Sequence, residues 1–343
     1  MYTRVLLVIV LVTTQFGLFS SCKKTPDPEP LKVGLVAGLS DLDDGGFNEQ
    51  AIAGLTNVSG TVSVIWEARE SHDKEGIEAN IHFFAEYGYD VVITLGYDAA
   101  QYTLDAAVAY PSVKFMLLDF TFDSLPSNMV CATFRVDQAS FPCGFLAAYW
   151  AWKQKPAGAA VGYVAGPDIP TIRQFTTSFT KGVEYFTTQY DIPVSVSGYN
   201  CVSFSDTLEG ARAADSLIQQ GAEVIFACAG QSGNGALYKV KELSKTGIGV
   251  DSDQYYSLPQ VGHYLITSCM KNLDAVIVAE ITDITEDKFH GGQTLVTDLV
   301  GSGVGLAPYH DYDTLIPDTI KQAVISIKSA IIAGTLSTGW IGK

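Results

Sequence analysis

Short apolar runs in this 343-residue chain repeatedly end in residues able to hold a small molecule. The run Lys32–Ala37 leads into Gly38-Leu39-Ser40-Asp41-Leu42-Asp43-Asp44-Gly45-Gly46-Phe47-Asn48. Its glycines let a backbone approach a ligand, Phe47 offers an aromatic face, and Asn48 is a candidate N-cap for a helix. Gly96-Tyr97-Asp98 follows Val91–Thr94, Asp119 follows Lys114–Leu118, and Ser203-Phe204-Ser205-Asp206 follows Val194–Tyr199. Later come Ala229-Gly230-Gln231-Ser232-Gly233-Asn234-Gly235, Gly249-Val250-Asp251-Ser252-Asp253-Gln254 and Thr267-Ser268-Cys269-Met270-Lys271. Rings at such places can stack on a flat ligand, carboxylates can accept several hydrogen bonds, and a lysine can offset their charge. Each also has a plainer reading: Phe47 and Phe204 as core plugs, Asp119 and Asp251 as turn caps, Lys271 as a solvated surface lysine.

Catalytic sets are poorly matched. Gly230-Gln231-Ser232-Gly233-Asn234 approaches the Gly-x-Ser-x-Gly elbow of hydrolases, but its fifth residue is Asn and no well-placed His follows on a strand-end loop. No Gly-x-x-x-x-Gly-Lys-Ser/Thr phosphate loop is present, so the chain is not expected to be a transporter's P-loop ATPase. A nucleosidase built on Asp41, Asp43 and Asp44 is conceivable; the simpler account is a solvated acidic loop opening a helix, where negative charge is favoured. The five histidines are dispersed, and Cys131, Cys143, Cys201, Cys228 and Cys269 show neither zinc spacing nor a disulfide framework. Cys131, Cys228 and Cys269 fall in apolar runs, where a free thiol acts as a small buried hydrophobe. The sequence therefore predicts no enzyme, no metal and no cofactor.

The elements that would position these residues alternate. Strands are predicted at Lys32–Ala37, Val62–Trp66, Val91–Thr94, Lys114–Leu118, Val161–Val164, Val194–Tyr199 and Val224–Ala227. Helical stretches lie between them, at Asn48–Val58, Lys74–Tyr87, Ala99–Ala109, Pro170–Thr188, Thr207–Gln219 and Gly233–Ser244. This is the cadence of right-handed βαβ units and parallel sheets, whose ligands collect at the carboxyl ends of strands. Two series, about 31–136 and 137–262, are joined by the strand-like Met129–Arg135; Tyr264–Met270 and a helical Asp274–Phe289 follow. Two hinged lobes fit this plan. A (β/α)₈ barrel is the alternative, and the strand-only crossing argues against it.

Composition narrows the partners. With 21 Lys+Arg against 37 Asp+Glu, the chain has a formal charge of −16, which argues against the basic face needed to displace phosphate counterions, and no nucleic acid is expected as a partner. The first 21 residues run from Arg4 through the apolar Val5–Val12 to Ser20-Ser21, directly before Cys22. Charge, apolar run and small residues in that order describe a secretory signal. The apolar run is shorter than the ~20 residues that span a bilayer. The layout resembles a bacterial lipoprotein signal, which implies lipidation of Cys22 as the mature N-terminus; an ordinary cleaved signal with an incidental cysteine is the alternative. Residues 22–30, rich in Pro and charge, read as a tether.

Six motifs occur in order and carry a family resemblance. They are Asp-Asp-x-x-Phe-Asn at Asp43–Asn48, Pro-x-x-Lys-Phe-x-x-x-Asp at Pro111–Asp119, Ile-Pro-x-Ile-x-x-Phe at Ile169–Phe175, Ala-Gly-x-x-Gly-Asn-Gly at Ala229–Gly235, Gly-Val-Asp-x-Asp-Gln at Gly249–Gln254 and Thr-Ser-x-x-Lys at Thr267–Lys271. Together they resemble the basic membrane protein family of bacterial lipoproteins, whose best understood members bind purine nucleosides for ABC importers. The resemblance spans about 31–308. It implies an α/β, two-lobed type I periplasmic-binding-protein fold, each lobe a parallel sheet flanked by helices, with hinge crossovers. The lobes implied are 31–136 plus about 264–300, and 137–263 plus about 301–343.

The same resemblance implies that Phe47 and Phe204 sandwich a purine from opposite lobes and that Asp251 accepts from the ribose 2′ and 3′ hydroxyls. Lys271 would bond the sugar and offset buried charge, Asp119 would meet the base edge, Asn48 would add a polar contact, and Gly230 would let backbone approach the sugar. Tyr97 stands where the family commonly has Phe. The implied ligand is adenosine, guanosine or inosine, and the implied partners are an ABC permease and its ATPase, with a lipid anchor in the membrane. A receptor of this fold for a sugar or another small ligand, or a surface adhesin, is the alternative.

Overall fold

The computed structural model describes residues 29–342, so the signal, Cys22 and most of the tether lie outside the described residues. The first series builds β1 (Leu31–Val36), α1 (Phe47–Ser59), β2 (Val64–Arg69), α2 (Lys74–Glu86), β3 (Val91–Leu95), α3 (Ala100–Ala109), β4 (Lys114–Leu118) and β5 (Met129–Phe134). After α4 (Val136–Gln154) the second series gives β6 (Ala159–Ala165), α5 (Pro170–Tyr190), β7 (Val194–Asn200), α6 (Thr207–Gln219), β8 (Val224–Cys228), α7 (Gly230–Glu242), β9 (Thr246–Asp251), the single turn α8 (Gln254–Ser257) and β10 (Leu265–Lys271). The chain ends with α9 (Leu273–Thr285), β11 (Thr294–Thr297), β12 (Val304–Leu306) and α10 (Asp318–Ile332).

Two six-stranded sheets result, ordered β11-β5-β4-β3-β1-β2 and β12-β10-β9-β8-β6-β7. All recorded pairings are parallel except β12 against β10. Helices cover both faces, which is why central strands such as Val91–Leu95 and Val224–Cys228 are buried at every residue and read as unbroken apolar runs.

One lobe boundary differs from the expectation. Residues 264–271 were assigned to the first lobe, but β10 pairs with β9, Ser268 opposite Gly249 and Met270 opposite Asp251, and so completes the second sheet. An apolar strand carries no mark of which sheet it will join; only its register partner does. The return crossing falls at Asn272, after which α9 packs on α1, its Leu273 amide donating to Gln50 Oε1 at 3.0 Å. Strand β11 then extends the first sheet beside β5, and β12 the second beside β10.

Helix α4 carries no amphipathic signal in the sequence, because residues 136–151 are buried on all sides. Its closest neighbour is α5, and glycines permit the approach: a methyl group at Gly144 would collide with the Phe179 carbonyl oxygen, and one at Gly182 with the Phe141 carbonyl oxygen. Gly182→Ala is expected to lower stability by about 1–3 kcal/mol through overpacking. Urea unfolding measures this, and an unchanged midpoint would mean the two helices do not touch there.

Candidate functional site

Because both sheets are parallel apart from β12, the carboxyl-terminal ends of their strands can face each other across the crevice between the lobes. A cavity lined by residues of both lobes lies there, the usual place for a small-molecule site in such folds. Seven of the eight residues singled out from the sequence border it: Phe47, Tyr97 and Asp119 from the first lobe, and Phe204, Gly230, Asp251 and Lys271 from the second.

Lys271, the last residue of β10, is 3% exposed and binds both lobes. Its Nζ lies 2.9 Å from Asp119 Oδ2 and 3.4 Å from Asp251 Oδ1, and 4.7 and 5.4 Å from the ring centres of Phe47 and Phe175. Burial pulls the Lys271 pKa down, but the Asp119 and Asp251 carboxylates outweigh it and hold the pKa above its usual value. Burial pushes the Asp119 carboxyl up, opposed by Lys271. The solvated-lysine reading is therefore excluded.

Asp119 and Asp251 each adopt a left-handed backbone, with φ of 70° and 64°. Such a residue costs about 1–3 kcal/mol elsewhere, though Asp tolerates it better than most. Both sit at the end of a strand, where the turn aims the side chain at the cavity. Asp251 borders the cavity, and its buried Oδ1 has no well-oriented hydrogen bond beyond the Lys271 ammonium 3.4 Å away.

Asn48 is placed differently from the expectation. It is fully buried and does not border the cavity. Its Nδ2 donates to the Ser40 and Asp41 carbonyls at 3.0 and 3.1 Å and to Ser40 Oγ at 2.8 Å, while its Oδ1 accepts from the Gly38 amide at 3.0 Å. These bonds shape the β1–α1 loop. Nor is Asn48 the N-cap: α1 begins at Phe47.

The capping is done by Asp44, which the sequence reading left as part of a solvated acidic loop. Asp44 is 3% exposed and accepts from the amides of Gly46, Asn48 and Glu49 and from Ser40 Oγ, over 2.9–3.2 Å. Its position three residues before a helix start was the available signal; its burial was not visible. Burial pushes its pKa up to about 6 against those amide bonds, with the Asp251 charge adding to the rise. Phe175, inside a quoted motif but not singled out, also borders the cavity.

Among the described residues, Glu280, Asp283 and His290 are close enough together to hold a metal ion. They do not border the cavity and are joined internally, His290 Nδ1 lying 2.8 Å from Glu280 Oε2. All five cysteines among the described residues are free and buried.

With this geometry in place, comparison with known proteins is informative. The pattern of the Bmp family, described as ABC transporter substrate-binding protein PnrA-like, matches residues 32–338. The chain belongs to this family. Bmp proteins are substrate-binding proteins of ABC transporters, not enzymes, and the chain accordingly works with a permease and an ATPase. Basic membrane protein A of Borreliella burgdorferi is 27% identical over 334 residues, covering 95% of this chain and 93% of that protein. The ABC transporter nucleoside-binding protein BmpA of Lactococcus lactis is 25% identical over 329 residues, covering 90% and 88%. An ABC transporter solute-binding protein from Aeropyrum pernix has the same two-lobed periplasmic-binding-protein fold, with a TM-score of 0.83 at 23% identity over 90% of this chain and 93% of that one.

Asp44 provides a pH test. Its folded pKa of about 6 exceeds the ordinary 3.8. It therefore takes up a proton on folding, and its contribution favours the folded state below about pH 4 and is lost as pH rises through 6, by up to about 3 kcal/mol. Asp44→Asn should remove this part of the slope of unfolding free energy between about pH 4 and 6, measured by urea titration. An unchanged slope would show that Asp44 is ionised throughout.

Proposed function

We propose that this Bmp protein binds a purine nucleoside, adenosine, guanosine or inosine, and delivers it to its permease. The observation that carries the reading is Asp251: a cavity-wall carboxylate, braced by Lys271, with one buried oxygen lacking an oriented donor. The cis-hydroxyls of a ribose supply two donors, and hydrogen bonds to a charged group are among the stronger ones. Phe47 and Phe204 come to the cavity from opposite lobes and give a base two faces on which to stack, at roughly 1–3 kcal/mol per stacked base. Asp119 is available for the base edge, Tyr97 for the outer rim and Gly230 for close backbone approach.

Charge favours the nucleoside over a nucleotide. Asp119, Asp251 and Lys271 sum to one net negative charge, and Asp44 adds more when ionised. A phosphate would be desolvated against these carboxylates, whereas a neutral hydroxylated ligand would not. The name of the Lactococcus lactis relative, a nucleoside-binding protein, supports the same class.

Calorimetric titration with adenosine, guanosine, inosine, cytidine and free ribose tests the reading; the purine nucleosides should bind at micromolar concentration or tighter. Binding of ribose but of no nucleoside would overturn it. Asp251→Ala should weaken binding by about 2–3 kcal/mol, on the order of a hundredfold; unchanged affinity would reduce Asp251 to a turn residue.

The lipoprotein-like segment ending at Cys22 supports a lipid anchor for this exported receptor. Cys22→Ala should move the protein from the membrane fraction to the soluble fraction, and continued sedimentation with membranes would exclude that anchor.

A further inference from the structure

The β1–α1 loop of the first lobe, part of which lines the cavity, is gripped by side chains of the second. Asn234 Nδ2 donates to the Asp44 carbonyl at 2.7 Å, and the Gly45 carbonyl accepts from Ser257 Oγ at 2.6 Å, Ser252 Oγ at 2.9 Å and Gln254 Nε2 at 3.4 Å. None of these four donors borders the cavity. Asn234 and Gln254 are 7% and 2% exposed, so their two bonds are shielded from competing water, while those of Ser252 and Ser257 are partly buried.

Both halves of the contact are built in advance. On the first lobe, the Asp44 side chain is fixed by the start of α1, and Gly45 holds a φ of +68°, a conformation that other residues seldom adopt. On the second lobe, Gln254 is anchored by three bonds: its Oε1 accepts from the Val250 amide, its amide donates to Ser268 Oγ, and its Nε2 also donates to Asn234 Oδ1, over 3.0–3.1 Å. Two rigid, complementary surfaces therefore meet when the lobes close, and little ordering entropy opposes them.

We propose that Asn234, Ser252, Gln254 and Ser257 are positioning residues that latch the lobes shut on the backbone of residues 44–45 and so set solute affinity without touching the solute. The closed form is the one that presents Asp119, Lys271 and Asp251 together, and apparent affinity scales with the fraction of molecules already closed. The proposal rests on the solute-binding activity of the family, not on which solute is bound.

Asn234→Asp tests it, because a carboxylate oxygen replaces the donor facing the Asp44 carbonyl at nearly unchanged size. Small-angle scattering of the intact mature protein without solute should give a compact wild type and an expanded variant. Adding guanosine should contract the variant and leave the wild type unchanged, while the variant Kd rises about tenfold or more. The thermal midpoint should stay close to wild type, which separates latching from a general packing defect. Ser257→Ala, which removes one donor, should shift compactness and Kd the same way by a smaller amount. A wild type that is expanded without solute, or variants as compact as wild type, would overturn the latch. Failure of wild type to bind any nucleoside would overturn the ligand reading instead, with the solute-free scattering still deciding the latch.

Discussion

The arrangement of the cleft depends on one buried ammonium. Lys271 ends a strand of the second lobe, yet its shorter ion pair, 2.9 Å, is to Asp119 of the first. Remove the lysine and two carboxylates would face each other in a water-poor crevice, where their repulsion and desolvation would favour an open form. With it in place, the carboxyl ends of β4, β9 and β10 are held at one point, and Asp251 Oδ1 has no well-oriented hydrogen bond besides this ammonium. The aromatic rings of Phe47 and Phe175 surround the same ammonium and complete its desolvated environment.

That single charge works because of the two sheets. Parallel strands deliver their carboxyl ends to the same side of a sheet, so each lobe presents its turns to the crevice as a set. Left-handed turns at Asp119 and Asp251 then tip both carboxylates toward the lysine, a strained local conformation offset by the ion pairs it permits. The latch at residues 44–45 repeats this logic with neutral groups. A buried acid and a positive-φ glycine shape one side, and an anchored glutamine shapes the other.

Much of this was legible in the chain. Apolar runs alternating with amphipathic stretches announced βαβ units, and searching just past each run found Phe47, Tyr97, Asp119, Phe204, Gly230, Asp251 and Lys271, all of which border the cavity. Asn48 was misread because a polar side chain at a loop end has the same signature whether it faces a ligand or its own backbone. Asp44 reads as a solvated acid because it stands in an acidic cluster with Asp41 and Asp43 before a helix; those two are exposed, Asp44 is not, and charge in sequence does not report burial. Helix α4 left no pattern because burial on all sides erases the polar stripe from which helices are recognised.

The sequence by itself determined the local chemistry: which residues follow which strands, which turns can bend backward, and that the whole is too acidic to hold a polyanion. Such properties depend on neighbours a few residues away. Only the tertiary structure decided which sheet β10 joins, where Lys271 finds its two carboxylates, and that Asn234 grips a carbonyl 190 residues earlier in the chain. Those outcomes rest on register and on lobe closure, and both are set by packing between segments whose separation along the chain carries no information about their distance in space.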